Sequence, residues 1–230
     1  MRRIHIFLGV QSLLAIFVSF NRLTDWFNGY VLPNEFLRWV DLNNVIVALV
    51  SMVAGYLLKK TLEYNSPVHD GSAHTAWNLV FIVGVFISAV SYGFHELGNY
   101  LHFRFCLEDT TSDLCRIVIF NDDEFSHWLF FTGFIMVNAA ILLIQNIFPH
   151  QGEVKGWDIA LLLLNSLFLG LGVMANLGFE TIGLDLYIVG LLAIIAAVLL
   201  WKKGKQPMFI YYTSAYWLGL VGSLIAQAFR

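Results

Sequence analysis

Three histidines and a group of carboxylates stand close enough along this chain to do metal or acid–base chemistry. The first stretch is Ser91-Tyr-Gly-Phe-His95-Glu96-Leu-Gly-Asn99-Tyr-Leu-His102. At about 100° per residue, Ser91, His95, Asn99 and His102 fall in one narrow stripe of a helix, with Glu96 about a quarter-turn away. The second stretch is Asn121-Asp122-Asp123-Glu124-Phe125-Ser126-His127-Trp128. Asp123 precedes His127 by four residues and Glu124 precedes it by three, so either carboxylate can share a helix face with that ring. Neutral imidazole with carboxylate is the ordinary ligand set of zinc and non-haem iron. A Glu-x-x-His pair is also what carboxylate-bridged di-iron bundles use, here in a single copy. The pattern predicts a divalent metal, zinc or iron, held by His95, His102 and His127 with Asp123 or Glu124 as the fourth ligand. Glu180 or Glu96 is the expected proton shuttle. Ser91, Asn99, Asn176 and Asp185 complete the expected pocket, and Asp41, Asn43 and Asn44 add polar groups at the same depth. Blander readings are available: hydrated interface residues for His102 and Glu96, a hydrogen bond from His95 to Asp123 or Glu124 of the neighbouring helix, an acidic first turn favoured by the helix dipole for residues 122–124, and helix–helix hydrogen bonding for Asn165 and Asn176.

The elements that would position these residues are membrane helices. Of 230 residues, 58% are hydrophobic and 13% charged, with a mean hydropathy of +0.71. A water-soluble domain carries about a quarter charged residues to cover its core, and this chain cannot. Apolar runs bounded by charge place spans at about 4–20, 43–59, 76–102, 124–147, 157–179, 184–201 and 207–228, each close to the ~20 residues that cross a bilayer. Seven such spans use the whole length, so residues 1–230 read as one all-α transmembrane domain, a polytopic helix bundle. The sixth run is the shortest and is expected to tilt or to pair tightly with the fifth, where Gly170, Gly172 and Gly178 allow close approach. The N-terminal run has a basic start but no small-x-small cleavage site after it, so it reads as an uncleaved first span and not a signal peptide.

Orientation follows from the basic residues. With the N-terminus cytoplasmic, that side holds Arg2, Arg3 and every lysine: Lys59, Lys60, Lys155, Lys202, Lys203 and Lys205. The other side holds Arg22, Arg38, Arg104, Arg116 and Arg230. The expectation is N-in, C-out. Twelve of the sixteen acidic residues then sit at or near the exoplasmic face, a negative basin that favours cations or neutral lipid head groups over anions. Cys106 and Cys115 lie in the exoplasmic loop between spans three and four, where a disulfide would persist; free thiols or a metal pair are the alternatives. No basic stripe suggests nucleic acid, and membrane lipid is the expected partner.

The run Asp123-Glu-Phe-Ser-His127-Trp-Leu-Phe-Phe131 resembles the Asp-x-x-x-His-aromatic helix opening of VanZ-like small membrane proteins, in which acidic residues recur in later helices, loosely as Glu180 and Asp185 do here. Glu124 stands where a basic residue commonly follows the aspartate in that family. Ser91-x-x-Phe94-His95 is similar to the first motif of the alkaline ceramidase and adiponectin-receptor superfamily of seven-span zinc hydrolases. That resemblance implies zinc-dependent lipid hydrolysis. The family's last helix carries a His-x-x-x-His pair, and residues 207–230 here contain no histidine, which removes two expected ligands.

Other classes lack their residues. The last span has no lysine for a retinal Schiff base, and the chain has no Gly-x-x-x-x-Gly-Lys, Gly-x-Ser-x-Gly or Cys-x-x-Cys run. Three readings follow. The first is a metal-dependent membrane enzyme, a hydrolase of a lipid or lipid-like substrate entering from the bilayer. The second is a proton or metal-ion transporter, whose path would have to continue through Asn138, Gln145, Asn165 or Tyr211. The third is a structural or assembly protein whose polar cluster only packs helices.

Overall fold

In the computed structural model, which describes residues 1–64, 71–179 and 183–229, the apolar runs are all helices. They are α1 (Arg2–Leu23), α2 (Trp39–Tyr64), α3 (Ser72–Phe105), α4 (Asp113–Ile119), α5 (Ser126–Ile147), α6 (Gly156–Phe179), α7 (Leu184–Lys203) and α8 (Pro207–Ala228). A π-helical turn, Phe120–Phe125, fuses α4 to α5, so seven helical segments are long and apolar enough to cross a membrane. The chain is an all-α helical bundle of the integral, multi-pass membrane type.

Two spans are longer than hydropathy marks. Helix α3 has 34 residues and the segment Asp113–Ile147 has 35, each about 50 Å at 1.5 Å per residue against a hydrocarbon core of about 30 Å. The expected loop between spans three and four therefore shrinks, because residues 113–123 are helical. Asp113, Arg116, Asp122 and Asp123 end the apolar run there without ending the helix, and Ser112 caps α4 by accepting the Cys115 N–H at 3.3 Å.

Two tight helix pairs organise the bundle, and glycines permit both. A Cβ on Gly133 of α5 would lie 2.8 Å from the Gly84 carbonyl oxygen of α3. A Cβ on Gly219 of α8 would lie 2.3 Å from Val173 Cγ1 of α6. Small residues allow such backbone approach in membranes. Gly170 serves the same contact against Leu218 and Ala215, while Gly172 faces open space. Helix α6 thus pairs with α8; the expected tight pairing of spans five and six gives way to packing of α7 on α8 and α5. Helices α1 and α2 pack on each other, α2 on α3, and α1 on α6. Tyr211, Tyr212 and Tyr216 are buried in the α8 core, with Tyr212 and Tyr216 stacked at 5.4 Å.

Polar contacts mark the two ends. His5 meets Asp158 at 2.8 Å, Glu63 meets Lys59 at 2.5 Å and His74 at 2.9 Å, and Gln206 accepts the His150 N–H at 2.7 Å. These contacts gather the N-terminus, the α2–α3 ends and the α5, α6 and α8 ends, together with all six lysines. The opposite end carries Arg22, Arg38, Arg104, Arg116, His95 and His102 of α3, and the disulfide.

Candidate metal centre

The last turns of α3 meet the π-helical turn across a gap that only glycine leaves open. A Cβ on Gly98 would stand 3.1 Å from both Cα and Cβ of Asp122. That space admits the Asp122 side chain, 2% exposed, beneath His102 one turn further along α3. His102 Nδ1 lies 3.1 Å from Asp122 Oδ2, while the buried Oδ1 has no hydrogen-bond partner among the described residues. Asp123 stands beside them, exposed, and one ligand atom from each of His102, Asp122 and Asp123 lies within 4.8 Å of the others. This is the group of three metal-competent side chains among the described residues. One imidazole nitrogen and two carboxylates suit zinc, iron or manganese, and an orphaned buried carboxylate oxygen is what an absent cation would satisfy.

The π-helical turn selects these residues. Ser126 N–H donates to the Asn121 carbonyl, five residues back, which inserts one residue into the α-helical phase. Ser91 Oγ of α3 donates to the Ser126 carbonyl at 2.7 Å, and Ser126 Oγ donates to the Asp122 carbonyl, fixing the turn against α3. Beyond His102, Cys106 caps α3 and is disulfide-bonded to Cys115 of α4 with Cα atoms 5.4 Å apart. The bridge holds the ends of the two elements that carry His102 and Asp122.

His95 and His127 form a second group, two turns or about 10 Å deeper along α3. Their rings stack, centroids 5.3 Å apart and 9° from parallel. His95 Nδ1 lies 3.2 Å from Glu96 Oε1, and Arg22 Nη2 lies 3.0 Å from the same oxygen. Asn44 donates to Glu96 Oε2 at 2.9 Å, and Asn21 donates to Asn44 at 2.8 Å and accepts from Asn43 at 2.9 Å. Glu96, 5% exposed, is thus a fixed carboxylate fed by α1, α2 and α3. Arg22 Nη2 also comes within 3.4 Å of His95 Nδ1, but the carboxylate is nearer and opposite in charge to imidazolium. We therefore assign the proton to Nδ1, donating to Glu96, which leaves Nε2 as the basic nitrogen.

The predicted ligands are thus divided between the two groups: His102 with Asp123 and the unforeseen Asp122, and His95 with His127. Glu124 is exposed and outside both. Asn99, half-buried, accepts from Arg38 at 2.8 Å, and Arg38 also makes a two-point contact with Asp41 at 2.7 and 2.8 Å, both of these buried. Asn165 accepts from Ser12 at 2.7 Å and joins α6 to α1. Asn176 and Asp185 belong to α6 and α7, which among the described residues pack chiefly on α8, α1 and α5 rather than on α3. Asp185, 2% exposed, accepts the Leu186 N–H and walls a cavity of about 380 Å³ with Leu177, Leu220, Ser223 and Gln227. Glu180 lies outside the described residues. Sequence reading missed Asp122 and Arg22. The signal for Asp122 was Gly98 one turn below His102, a gap beneath a ligand; for Arg22 it was a cation ending one span at the level where Glu96 sits in another.

No family model, no curated protein and no solved structure matches this chain.

Proposed function

We propose that this protein is a membrane-embedded enzyme that binds a divalent cation at His102, Asp122 and Asp123 and hydrolyses a neutral lipid ester or amide at the head-group level. The observation that carries the reading is the buried Asp122 carboxylate, with one oxygen on His102 and the other unpartnered, next to a third ligand. A bound divalent ion would supply Lewis-acid polarisation of the scissile carbonyl. The chain's own residues supply the rest. His95 Nε2 takes a proton from the water that attacks the carbonyl and gives it to the leaving alkoxide or amine as the acyl C–O or C–N bond breaks, and Glu96 orients the ring and stabilises its charged form. His127, stacked on His95, shields that ring. Arg22 and Asn44 hold Glu96 in place.

The side of the membrane is part of the proposal. All six lysines sit at the opposite end from the site, which favours a cytoplasmic lysine end. A disulfide at the site end suits an oxidising, exoplasmic compartment. All four described arginines at this end are engaged: Arg22 with Glu96, Arg38 with Asp41, Arg116 with Asp113 and Arg104 with Tyr100. Acidic residues outnumber arginines at this end, which supports a neutral substrate over an anionic one.

Metal analysis of protein purified in mild detergent tests the reading. About one zinc, iron or manganese per chain is expected, lost in Asp122→Asn and His102→Ala while the thermal transition persists. Ester or amide cleavage of a neutral lipid should disappear in His95→Asn with the metal retained. Wild-type protein that takes up none of these metals on loading, or Asp122→Asn that binds them unchanged, sinks the proposal.

A further inference from the structure

The segment between α1 and α2, residues 24–38, is a built element and not a slack connection. Tyr30 and Arg38 form an antiparallel bridge, Val31 N–H donates to the Leu37 carbonyl at 2.9 Å, and Trp39 N–H to the Gly29 carbonyl at 3.0 Å. Its tip is a turn over Leu32-Pro33-Asn34-Glu35: the Glu35 N–H returns to the Leu32 carbonyl at 3.1 Å, and Asn34 Oδ1 accepts the Phe36 N–H at 3.1 Å. Glu35 sits in the left-handed region at φ 59°. Its carbonyl accepts from both Tyr100 and Arg104 of α3. Arg38 reaches Asn99 at 2.8 Å and lies 4.5 Å over the Phe103 ring. The hairpin is therefore fastened along the last turns of α3, beside His102.

What the hairpin presents outward is apolar. Trp26 is 79% exposed, Phe36 70% and Leu32 56%, while Arg38, its one basic group, is turned inward and buried. The 3₁₀ turn Asp25–Phe27 folds back on α1: Trp26 stands edge-on to Phe20 at 5.3 Å, and Phe27 lies 6.0 Å from Phe17. The ends of two membrane spans flank this surface, which fixes its level at the membrane boundary. Trp and other amphipathic aromatics concentrate in that layer. Within residues 24–38, the exposed acids Asp25 and Glu35 and the buried Arg38 offer an anionic surface no exposed basic group.

We infer that residues 24–38 form a rigid interfacial anchor whose Trp26, Leu32 and Phe36 lie in the head-group layer of an electrically neutral, zwitterionic leaflet, holding the end of α3 at a fixed depth. The inference does not depend on a metal at His102. It identifies a lipid-binding surface, with the phosphatidylcholine-type head group and upper acyl chain as its partner.

Both cysteines are in the disulfide, so one introduced cysteine gives one labelling site. Trp26→Cys, Leu32→Cys and, as the aqueous reference, Asp109→Cys in the disulfide loop would each carry a nitroxide in phosphatidylcholine nanodiscs. Collision rates with oxygen, which concentrates in lipid, and with a water-soluble nickel chelate would be compared. The expected result is an oxygen-to-nickel ratio severalfold higher at positions 26 and 32 than at 109. A ratio at 26 and 32 equal to that at 109 would place the hairpin in water and overturn the inference. Low collision with both reagents would mean that protein, such as a second copy of the chain, covers this surface, and would overturn it equally.

Discussion

Replacing Gly98 with alanine touches no ligand, yet it should weaken metal binding. A methyl group there would stand 3.1 Å from the Cα and Cβ of Asp122 and 3.3 Å from its nitrogen, so the backbone of the π-helical turn must move by a few tenths of an ångström. Two terms compete in stability. Alanine gains about 1 kcal/mol over glycine within a helix, and overpacking a close contact costs about 1–3 kcal/mol. The net cost is thus about 0–2 kcal/mol. Gly93→Ala, five residues earlier on the same helix with nothing within 4 Å, isolates the first term and should be stabilising by about 1 kcal/mol. The two variants should therefore differ by the overpacking term alone. Displacing Asp122 relative to His102 should lower metal affinity by about 10–100-fold, the usual effect of disturbing what holds a ligand in place. The assay is isothermal titration with zinc alongside thermal melting of wild type, Gly93→Ala and Gly98→Ala in one detergent. Equal melting of the two variants and wild-type zinc affinity in Gly98→Ala would refute the geometry.

Other consequences are open to measurement. Gly133→Ala drives a Cβ to 2.8 Å from the Gly84 oxygen and Ser88 nitrogen, so it should destabilise by about 1–3 kcal/mol in thermal melts through separation of α3 from α5. Arg38→Ala leaves Asp41 charged and buried, 3% exposed, and should cost about 3–5 kcal/mol, while Arg38→Ala with Asp41→Ala should restore much of that in a double-mutant cycle. Cys106→Ser with Cys115→Ser opens a short loop, of sequence separation 9, and should lower stability by about 2–3 kcal/mol on loop entropy. The same pair should also weaken zinc binding, since α4 is then free to turn Asp122 away from His102; unchanged zinc affinity would remove the disulfide from the account of the site.

The spans could be read from the sequence because a bilayer enforces a nearly binary code, apolar within and charged at the ends. The code is silent about helix that continues into the head-group layer or water. Asp113, Arg116 and Asp122 ended the apolar run, so residues 113–123 read as loop, yet from the Ser112 cap the helix carries on through them, α-helical to Ile119 and π-helical beyond. The site was legible to the level of two elements and their residue types. Uniform 100° spacing put Asp123 on the face of His127, but the π-helical turn shifts the phase, and Asp122 is the carboxylate buried against α3 while Asp123 is exposed. That shift is sustained by contacts from another helix, Gly98 and Ser91, which no local pattern encodes. Arg38 and Asp41 were the reverse case: their spacing of three residues on one helix start was visible, but the role of the pair depends on Asn99 arriving from α3.

Helix α3 joins the two depths of this end of the bundle, and the chemistry of each follows from what can reach it. At the level of His95 the carboxylate is saturated by protein: Glu96 takes hydrogen bonds from three residues on three helices. Such a carboxylate has little capacity left for a metal, and in the proposed mechanism it sets the tautomer of His95. About one turn outward, opposite Gly98, the Asp122 carboxylate is as deeply buried but keeps one oxygen unpartnered, and Asp123 beside it is open to solvent and to ions. A cation should therefore bind at the outer level and proton transfer belong to the inner one. For the proposed hydrolysis, one scissile carbonyl and its attacking water must lie between the two levels, the carbonyl oxygen toward the outer site and the water toward His95 Nε2. The order of the two levels along α3 thus matches the polarity order of the substrate class proposed.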